Sequence, residues 1–305
     1  MPLTPSEDAR RLHPAQTCAP SHSATAAHRL PIAPNVRHPI LFFVSFILLS
    51  AAPRVLAQKT TSTTSTTSST ASKTASAPCP VKWETKRAGI EHREIRCIDD
   101  TSDLDVHVVR IDPRKVTLDT VVVSGSNART IAREHGATFA INASFFDKAR
   151  TPLGLIVKDG ELVNKINNSS WQSVFLVTGR GSSYIILPPS WSEFRNRAHM
   201  AVQAGPRLVT RGHTVKVNRG YKAARAGVCI QWDRDLLFFA TPQDRKFTTT
   251  EIARVARIAE DKGGLACRDA MLFDGGHSTT LFIDGEGSDD VVVHGGPVPV
   301  FIVGK

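Results

Sequence analysis

The chain has 305 residues, 41% hydrophobic and 22% charged, so it has room for one large or two small globular domains. Its net charge is +10, of which residues 1–57 contribute +3 and the rest +7. The basic residues are scattered, with no run of like sign and few aromatics between them, which excludes a nucleic-acid surface and suits an anionic small substrate or a negatively charged cell envelope.

The first segment, "RHPILFFVSFILLSAAPRVLA" (37–57), places basic residues before an apolar run from Pro39 to Ala52 and then small residues. That is the order of a secretory signal, so residues 1–57 are expected to be a leader with a long N-terminal extension, cleaved after Ala57. The apolar run is shorter than the ~18 residues of a membrane-spanning helix. A membrane link therefore exists only if the segment stays uncleaved, and the protein is expected to be periplasmic or secreted. Residues 58–78, almost entirely Thr, Ser, Ala and Lys, cannot bury enough apolar surface to offset chain entropy and are expected to be a flexible spacer. The folded unit is then 79–305.

Past the leader the cysteines are Cys79, Cys97, Cys229 and Cys267. An oxidising compartment favours disulfides. Pairing Cys79 with Cys97 and Cys229 with Cys267 lets each bridge flank one supersecondary segment, with buried free thiols as the alternative. No CxxC is present, so a zinc ribbon is not expected.

Alternation in "LDVHVVRI" (104–111) and "KVTLDTVVV" (115–123), around Asp112-Pro113, predicts a hairpin. Residues 127–136 read as a short helix ended by Gly136 and 137–146 as a buried strand. Asp159-Gly160 marks a hairpin turn within 154–163. Strands follow at 173–178, 183–187, 200–204, 227–232 and 235–241. A helix is expected over 248–264, with Thr caps, a face of Ile252, Val255, Ala256 and Ala259, and Gly263 as its end. "DAMLF" and "TTLFID" are strands on either side of "DGGHS". The class is α+β: one domain of mixed, largely antiparallel sheet with a few flanking helices.

Polar residues meet chain-reversing glycines at three strand ends: Asn142 to Asp147, Gln203 to Arg207, and Asp274 to Thr280. Arg225 and the Asp244-Arg245 pair also fall where strands give way to loops. The loop after Phe273 lacks the last glycine of a nucleophile elbow and runs from strand to strand. It carries no Walker motif and no series of oxygen ligands for calcium. Gly275-Gly276 permits close backbone approach to a ligand. A carboxylate such as Asp274, ending an apolar strand, needs a partner or a task.

"NASFFD…PLGLIVKDGELV", "AVQAGPRLVTRG", "RAGVCIQ" and "LFDGGHSTTLFIDG" follow the order and spacing of the phosphodiester glycosidase family, that of the lysosomal uncovering enzyme. The resemblance spans roughly residues 100 to 305. Ala143-Ser144 stand where the family commonly has Gly-Gly; His277 replaces a glycine and Thr279 a serine. These departures are expected to line the pocket and alter the substrate. The resemblance implies hydrolysis of a sugar-1-phosphodiester to free sugar and phosphomonoester. A phosphomonoester leaves readily, so fixed positive charge matters more than a proton donor. Arg207 and Arg225, then Arg245, are the expected phosphate ligands, with the amides of Gly275 and Gly276. Asp274, and Asp244 after it, is the expected catalytic carboxylate. Asn142, Ser278, Thr279 and His277 are expected at the substrate, Asn142 as a sugar ligand or as a clamp on the pocket. No cofactor is expected, no His/Asp spacing points to a metal ligand set, and whether an ion binds stays open. The partner is a sugar phosphate or an envelope polysaccharide, and the rival to an enzyme is a non-catalytic binder of such a polymer.

Overall fold

A computed structural model describes residues 79–99, 101–217, 220–285 and 290–305, and alternating apolar residues form its strands. In chain order they are β1 (Glu84–Arg87), β2 (Ile90–Ile95), β3 (Val106–Ile111), β4 (Leu118–Ser126), β5 (Phe139–Asn142) and β6 (Ile156–Lys158). Then come β7 (Glu161–Asn164), β8 (Ser173–Thr178), β9 (Ser183–Ile186), β10 (Ala198–Ala204), β11 (Arg207–Thr210) and β12 (His213–Thr214). The last are β13 (Ala226–Gln231), β14 (Leu236–Ala240), β15 (Cys267–Leu272), β16 (Leu281–Ile283), β17 (Val291–Val293) and β18 (Val298–Gly304). Helices among the described residues are few: α1 (Ala128–Glu134), α2 (Trp191–Phe194) and α3 (Thr249–Arg257), besides short 3-10 turns. The expected leader and spacer lie outside the described residues.

The strands form three sheets. One is eight-stranded, in the order β1-β2-β3-β14-β13-β15-β11-β12; one is β7-β6-β10-β8-β9; one is β17-β16-β5-β18-β4. Every ladder among the described residues is antiparallel, so the sheets are not mixed, and the few helices agree with the expected α+β class.

Period-two alternation gives each sheet two buried faces. On β14, Leu236, Phe238 and Ala240 face a core shared by all three sheets, while Leu237 and Phe239 join the cluster that holds the buried face of α3. Ile131 and Ala132 of α1 pack with Val121, Phe282 and Phe301 on the outer side of the β5 sheet. Trp191 and Phe194 of α2 cover Leu176 and Ala201 on the β10 sheet. Inside, Phe139, Phe175 and Phe273 gather round Phe238, with ring centroids 4.9, 5.8 and 6.3 Å from it. Each sheet thus contributes a ring to one aromatic knot, and Phe273 is the residue just before Asp274.

The predicted strands 173–178, 183–187, 200–204, 227–232 and 235–241 match β8, β9, β10, β13 and β14 to within a residue or two. Asp159 and Gly160 turn the β6–β7 hairpin with φ of +49° and +79°. The 104–111 and 115–123 segments do not form a hairpin. β3 lies between β2 and β14, whereas β4 crosses to the edge of another sheet and pairs with β18. Alternation sets which face is buried, not which strand lies alongside. Helix α3 is shorter than expected. Its capping box of Thr248 and Glu251 is present, but Ile258 turns to ψ 143° and its carbonyl accepts the Ala266 amide at 2.8 Å, ending the helix before an exposed Ala259. Gly263, at φ +87°, closes the 3-10 turn that follows.

Both expected disulfides are present, Cys79–Cys97 and Cys229–Cys267, with Cα separations of 5.7 and 5.5 Å. The second joins β13 to β15. Replacing Phe273 by Ala should destabilise the domain by about 3–5 kcal/mol in urea denaturation, because it empties the point where the sheets meet. A cost under about 1 kcal/mol would show that the knot does not depend on that ring.

Candidate active site

One strand from each sheet ends at the same place: β5 at Asn142, β10 at Ala204 and β15 at Leu272. The loops that continue them are tied to one another. The Asp274 amide donates to the Ala143 carbonyl at 2.9 Å and the Leu272 amide to that of Pro206 at 2.9 Å. The Ser144 hydroxyl donates to the Gln203 carbonyl at 3.1 Å.

Three side-chain amides complete these ties. Asn142, 1% exposed, donates from Nδ2 to the Asp274 carbonyl at 2.7 Å and accepts the Thr280 amide on Oδ1 at 3.0 Å. It grips both ends of the Asp274–Thr280 loop, so of its two expected roles the structure supports the clamp. Gln243 donates from Nε2 to the carbonyls of Gly276 and Thr279, at 2.9 and 3.0 Å. Fully buried Gln203 accepts the Leu155 and Asn167 amides, each at 2.9 Å, and donates to Gln172 at 3.0 Å.

Beyond the end of the β13–β15 ladder, the Phe273 amide still reaches the Ala226 carbonyl at 2.8 Å, and the Gly276 amide reaches that of Ala224 at 2.8 Å. Asp274-Gly275 therefore runs beside Arg225. A Cβ on Gly275 would lie 2.9 Å from the Ala224 carbonyl oxygen, and Gly276 has φ +62°, so both positions require glycine. The expectation that the two amides hold phosphate is not met here. Gly275 donates to Asp274 Oδ1 at 3.0 Å and Gly276 to Ala224, so the glycines serve close packing of the loop.

Arg225 is 4% exposed. Its Nε donates to the Phe247 carbonyl and Nη2 to that of Tyr221, each at 2.8 Å, and its guanidinium carbon lies 4.9 Å from the Tyr221 ring centroid. Nη1 stands 3.9 Å from where a Gly275 Cβ would be and makes no hydrogen bond among the described residues. No carboxylate among them pairs with this buried cation. Beside it, burial raises the pKa of the Asp274 carboxyl above the ordinary value, against the lowering effect of hydrogen bonds from the Ser278 hydroxyl and the Gly275 amide.

Thr279 is fully buried, and its hydroxyl has no hydrogen-bond partner among the described residues. His277 is exposed and lies over Gly296, where an added Cβ would stand 2.4 Å from its ring. Gly295 is equally confined, by the Thr279 carbonyl oxygen at 2.2 Å from such a Cβ. Neither Gly295, Gly296 nor Gln243 was singled out from sequence. The Gly-Gly-Pro before β18 was the available signal for the glycines, and Gln243 offered none. At the departures from the family pattern, Ala143 and Ser144 are both buried, 1% and 2% exposed, and the Ser144 hydroxyl is engaged by the Gln203 carbonyl.

The remaining expected residues lie apart. Arg245 pairs with Asp103 at 3.1 Å, and with Asp244 it lines a cavity of about 320 Å³ beside α3 whose lining includes none of residues 274–279. Asp244 follows Gln243, which grips the loop, and makes no hydrogen bond or ion pair with Asp274 among the described residues. Arg207 lines another cavity, again without residues 274–279. Among the described residues, Asp119, Asp159 and His199 place three potential metal-ligand atoms within 4.8 Å of one another. They lie on β4, the β6–β7 turn and β10; β4 is two strands from Asn142, and the catalytic reading does not draw on them.

Fold and site define the class: a three-sheet antiparallel β protein with a half-buried carboxyl and, at the sheet junction, a buried arginine that no carboxylate among the described residues pairs. The phosphodiester glycosidase family model matches residues 135–303, more than half of the chain, and the protein belongs to that family. No curated protein matches the chain. Among solved structures, it is similar to a hypothetical protein from Synechocystis, with a TM-score of 0.55 and 17% identity over 75% of this chain; it spans only 64% of that protein. It is also similar to the catalytic domain of zebrafish N-acetylglucosamine-1-phosphodiester alpha-N-acetylglucosaminidase, auto-inhibited by its pro-peptide, with a TM-score of 0.53 and 14% identity over 74% of this chain and 88% of that one. At such identities these two likenesses establish fold alone.

Asn142→Ala leaves a buried carbonyl and a buried amide unpaired, at about 1–3 kcal/mol each. Urea denaturation should show a loss of about 2–4 kcal/mol, and a loss within about 0.5 kcal/mol would remove Asn142 as the clamp.

Proposed function

We propose that the domain is an exported hydrolase that cleaves a sugar-1-phosphodiester to free sugar and a phosphomonoester. The observation that carries this reading is Arg225, a buried guanidinium with no carboxylate partner among the described residues and a free Nη1 beside Gly275. Burying a charge unpaired is costly unless a ligand completes it, and a phosphate is the anion that an arginine fork fits best. Membership of the family supports the same substrate class.

In this mechanism Arg225 holds a non-bridging oxygen of the phosphodiester. The Asp274 carboxylate takes a proton from a water whose oxygen bonds to the anomeric carbon. The C–O bond to phosphate breaks, its electron pair stays on the phosphate oxygen, and the proton passes from Asp274 to solvent or to the phosphomonoester. The raised pKa of Asp274 makes it a stronger base and brings it nearer the working pH. Ser278 orients the carboxyl and the exposed His277 is available to sugar oxygens, whereas the Thr279 hydroxyl, without a partner among the described residues, is fully buried. Two disulfides support an oxidising, extracytoplasmic location, with residues 1–57 as leader and 58–78 as spacer to a single catalytic domain. Among the described residues no helix is long and apolar enough to cross a membrane.

Hydrolysis of a sugar-1-phosphodiester in ¹⁸O-labelled water should place the label in the sugar; label in the phosphate would mean P–O cleavage, and binding without turnover would favour the polysaccharide-binding alternative. Asp274→Asn should lower kcat/KM at least about 100-fold. Because the folded-state pKa of Asp274 is raised, its contribution to stability is full below the unfolded-chain value of about 3.9 and is lost as pH rises through the folded value. The Asn variant should therefore melt at or above the wild-type temperature at pH 7, with the difference shrinking toward about pH 4. Retained turnover, or a lower melting temperature at neutral pH, contradicts this assignment.

A further inference from the structure

Arg207 is half-buried, yet no carboxylate among the described residues pairs with it. Its guanidinium donates only to neutral oxygens: from Nε to Ser173 Oγ at 3.2 Å, from Nη2 to the Ile185 carbonyl at 2.8 Å and from Nη1 to Thr210 Oγ1 at 3.5 Å. Burial depresses its pKa and only Asp269 opposes this, though a guanidinium stays protonated throughout. The Asp269 carboxylate is itself engaged by the Arg268 Nε at 2.8 Å and the Arg211 amide at 3.2 Å.

This side chain lines a cavity of about 570 Å³, together with Trp171, Gln172, Ser170, Leu187 and the exposed Lys216. No Asp or Glu is among the described residues of the lining. Two cations, several hydroxyl and amide groups and an indole that is 38% exposed make the chemistry of a site for an anionic sugar. The cavity adjoins the catalytic loops through Trp171, whose ring lies 5.4 Å from that of Phe145, in the loop that continues β5.

One phosphate cannot serve both arginines. Arg207 stands opposite Met271, three residues before Asp274, or roughly 10 Å back along β15 at the rise of an antiparallel strand. It also lies on the opposite side of β15 from Arg225, because β11 and β13 flank that strand. The two guanidiniums are held by different neighbours, Ser173 and Ile185 for one, Tyr221 and Phe247 for the other.

We infer that the Arg207 cavity is a second anion subsite, which receives a negatively charged group remote from the scissile bond, so that the substrate is a saccharide chain bearing more than one anionic group. This rests on the hydrolase reading of the Arg225–Asp274 site, and it moves Arg207 from the reacting phosphate to the remote one.

The test uses the full chain and two synthetic sugar-1-phosphodiesters, identical except that the aglycone ends in a hydroxyl or in a phosphate. Wild type should prefer the phosphate-ended compound by about tenfold or more in kcat/KM, mainly through KM, as expected for one or two charge-assisted hydrogen bonds. Arg207→Gln and the surface change Lys216→Gln, which leaves the packing between sheets intact, should each pull that ratio toward unity. A wild-type ratio near one, or a preference that survives in both variants, overturns the subsite. If neither compound is hydrolysed, the hydrolase reading fails, and calorimetry with the intact phosphate-ended compound decides the subsite separately. Binding that both variants weaken supports it; no binding, or binding that the variants leave unchanged, refutes it.

Discussion

Where three sheets share one core, their ladders must stop, and at that point backbone amides and carbonyls lose strand partners without gaining water. The rest of this molecule depends on how that deficit is met. Asn142, Gln203 and Gln243 meet it with neutral side-chain amides, each able to donate and accept at once, and each bonded to the backbone of a loop from elsewhere in the chain. A charged group would donate or accept but not both, at a larger desolvation cost. The junction is therefore rigid for a polar reason, while the knot around Phe238 fixes the same point from the apolar side.

Against this neutral framework the charged residues stand out. Asp274 follows the end of β15 and Arg225 precedes the start of β13, and among the described residues neither side chain is paired with an opposite charge. The carboxyl is pushed toward its neutral form, and the guanidinium is held by carbonyls and a tyrosine ring. Arg207 repeats the arrangement on the other flank of β15. Arg225 is buried and Arg207 half-buried, and the two flank β15 with no carboxylate partner among the described residues.

Much of this was legible in the sequence where the information is local. The Thr248 cap, the Asp159-Gly160 turn and the pairing of each cysteine with its neighbour along the chain all follow from residues close to one another. So does the placement of Asn142 and Asp274 at strand ends. What was not legible is partnership across distance. Alternation is the same whichever strand lies alongside, so β3 and β4 looked like a hairpin when they belong to different sheets. Asp244 and Arg245 are the charged residues where a strand gives way to a loop, yet the neutral residue before them, Gln243, is the one that reaches the Asp274–Thr280 loop. Gly295 and Gly296 acquire meaning only from the backbone of Thr279 and the ring of His277 packed against them.

The Cys229–Cys267 bridge has a further consequence. It fastens β13 to β15 partway along, so the strands cannot slip, and at one end of them Arg225 stays level with Asp274. At the other end the β13–β14 turn, with Trp232 64% exposed, points away from the junction. Residues 232–235 are thus a covalently insulated port: a reporter or tethering peptide inserted there would be separated from the reacting groups by a fixed length of strand and by a cross-link that holds their alignment.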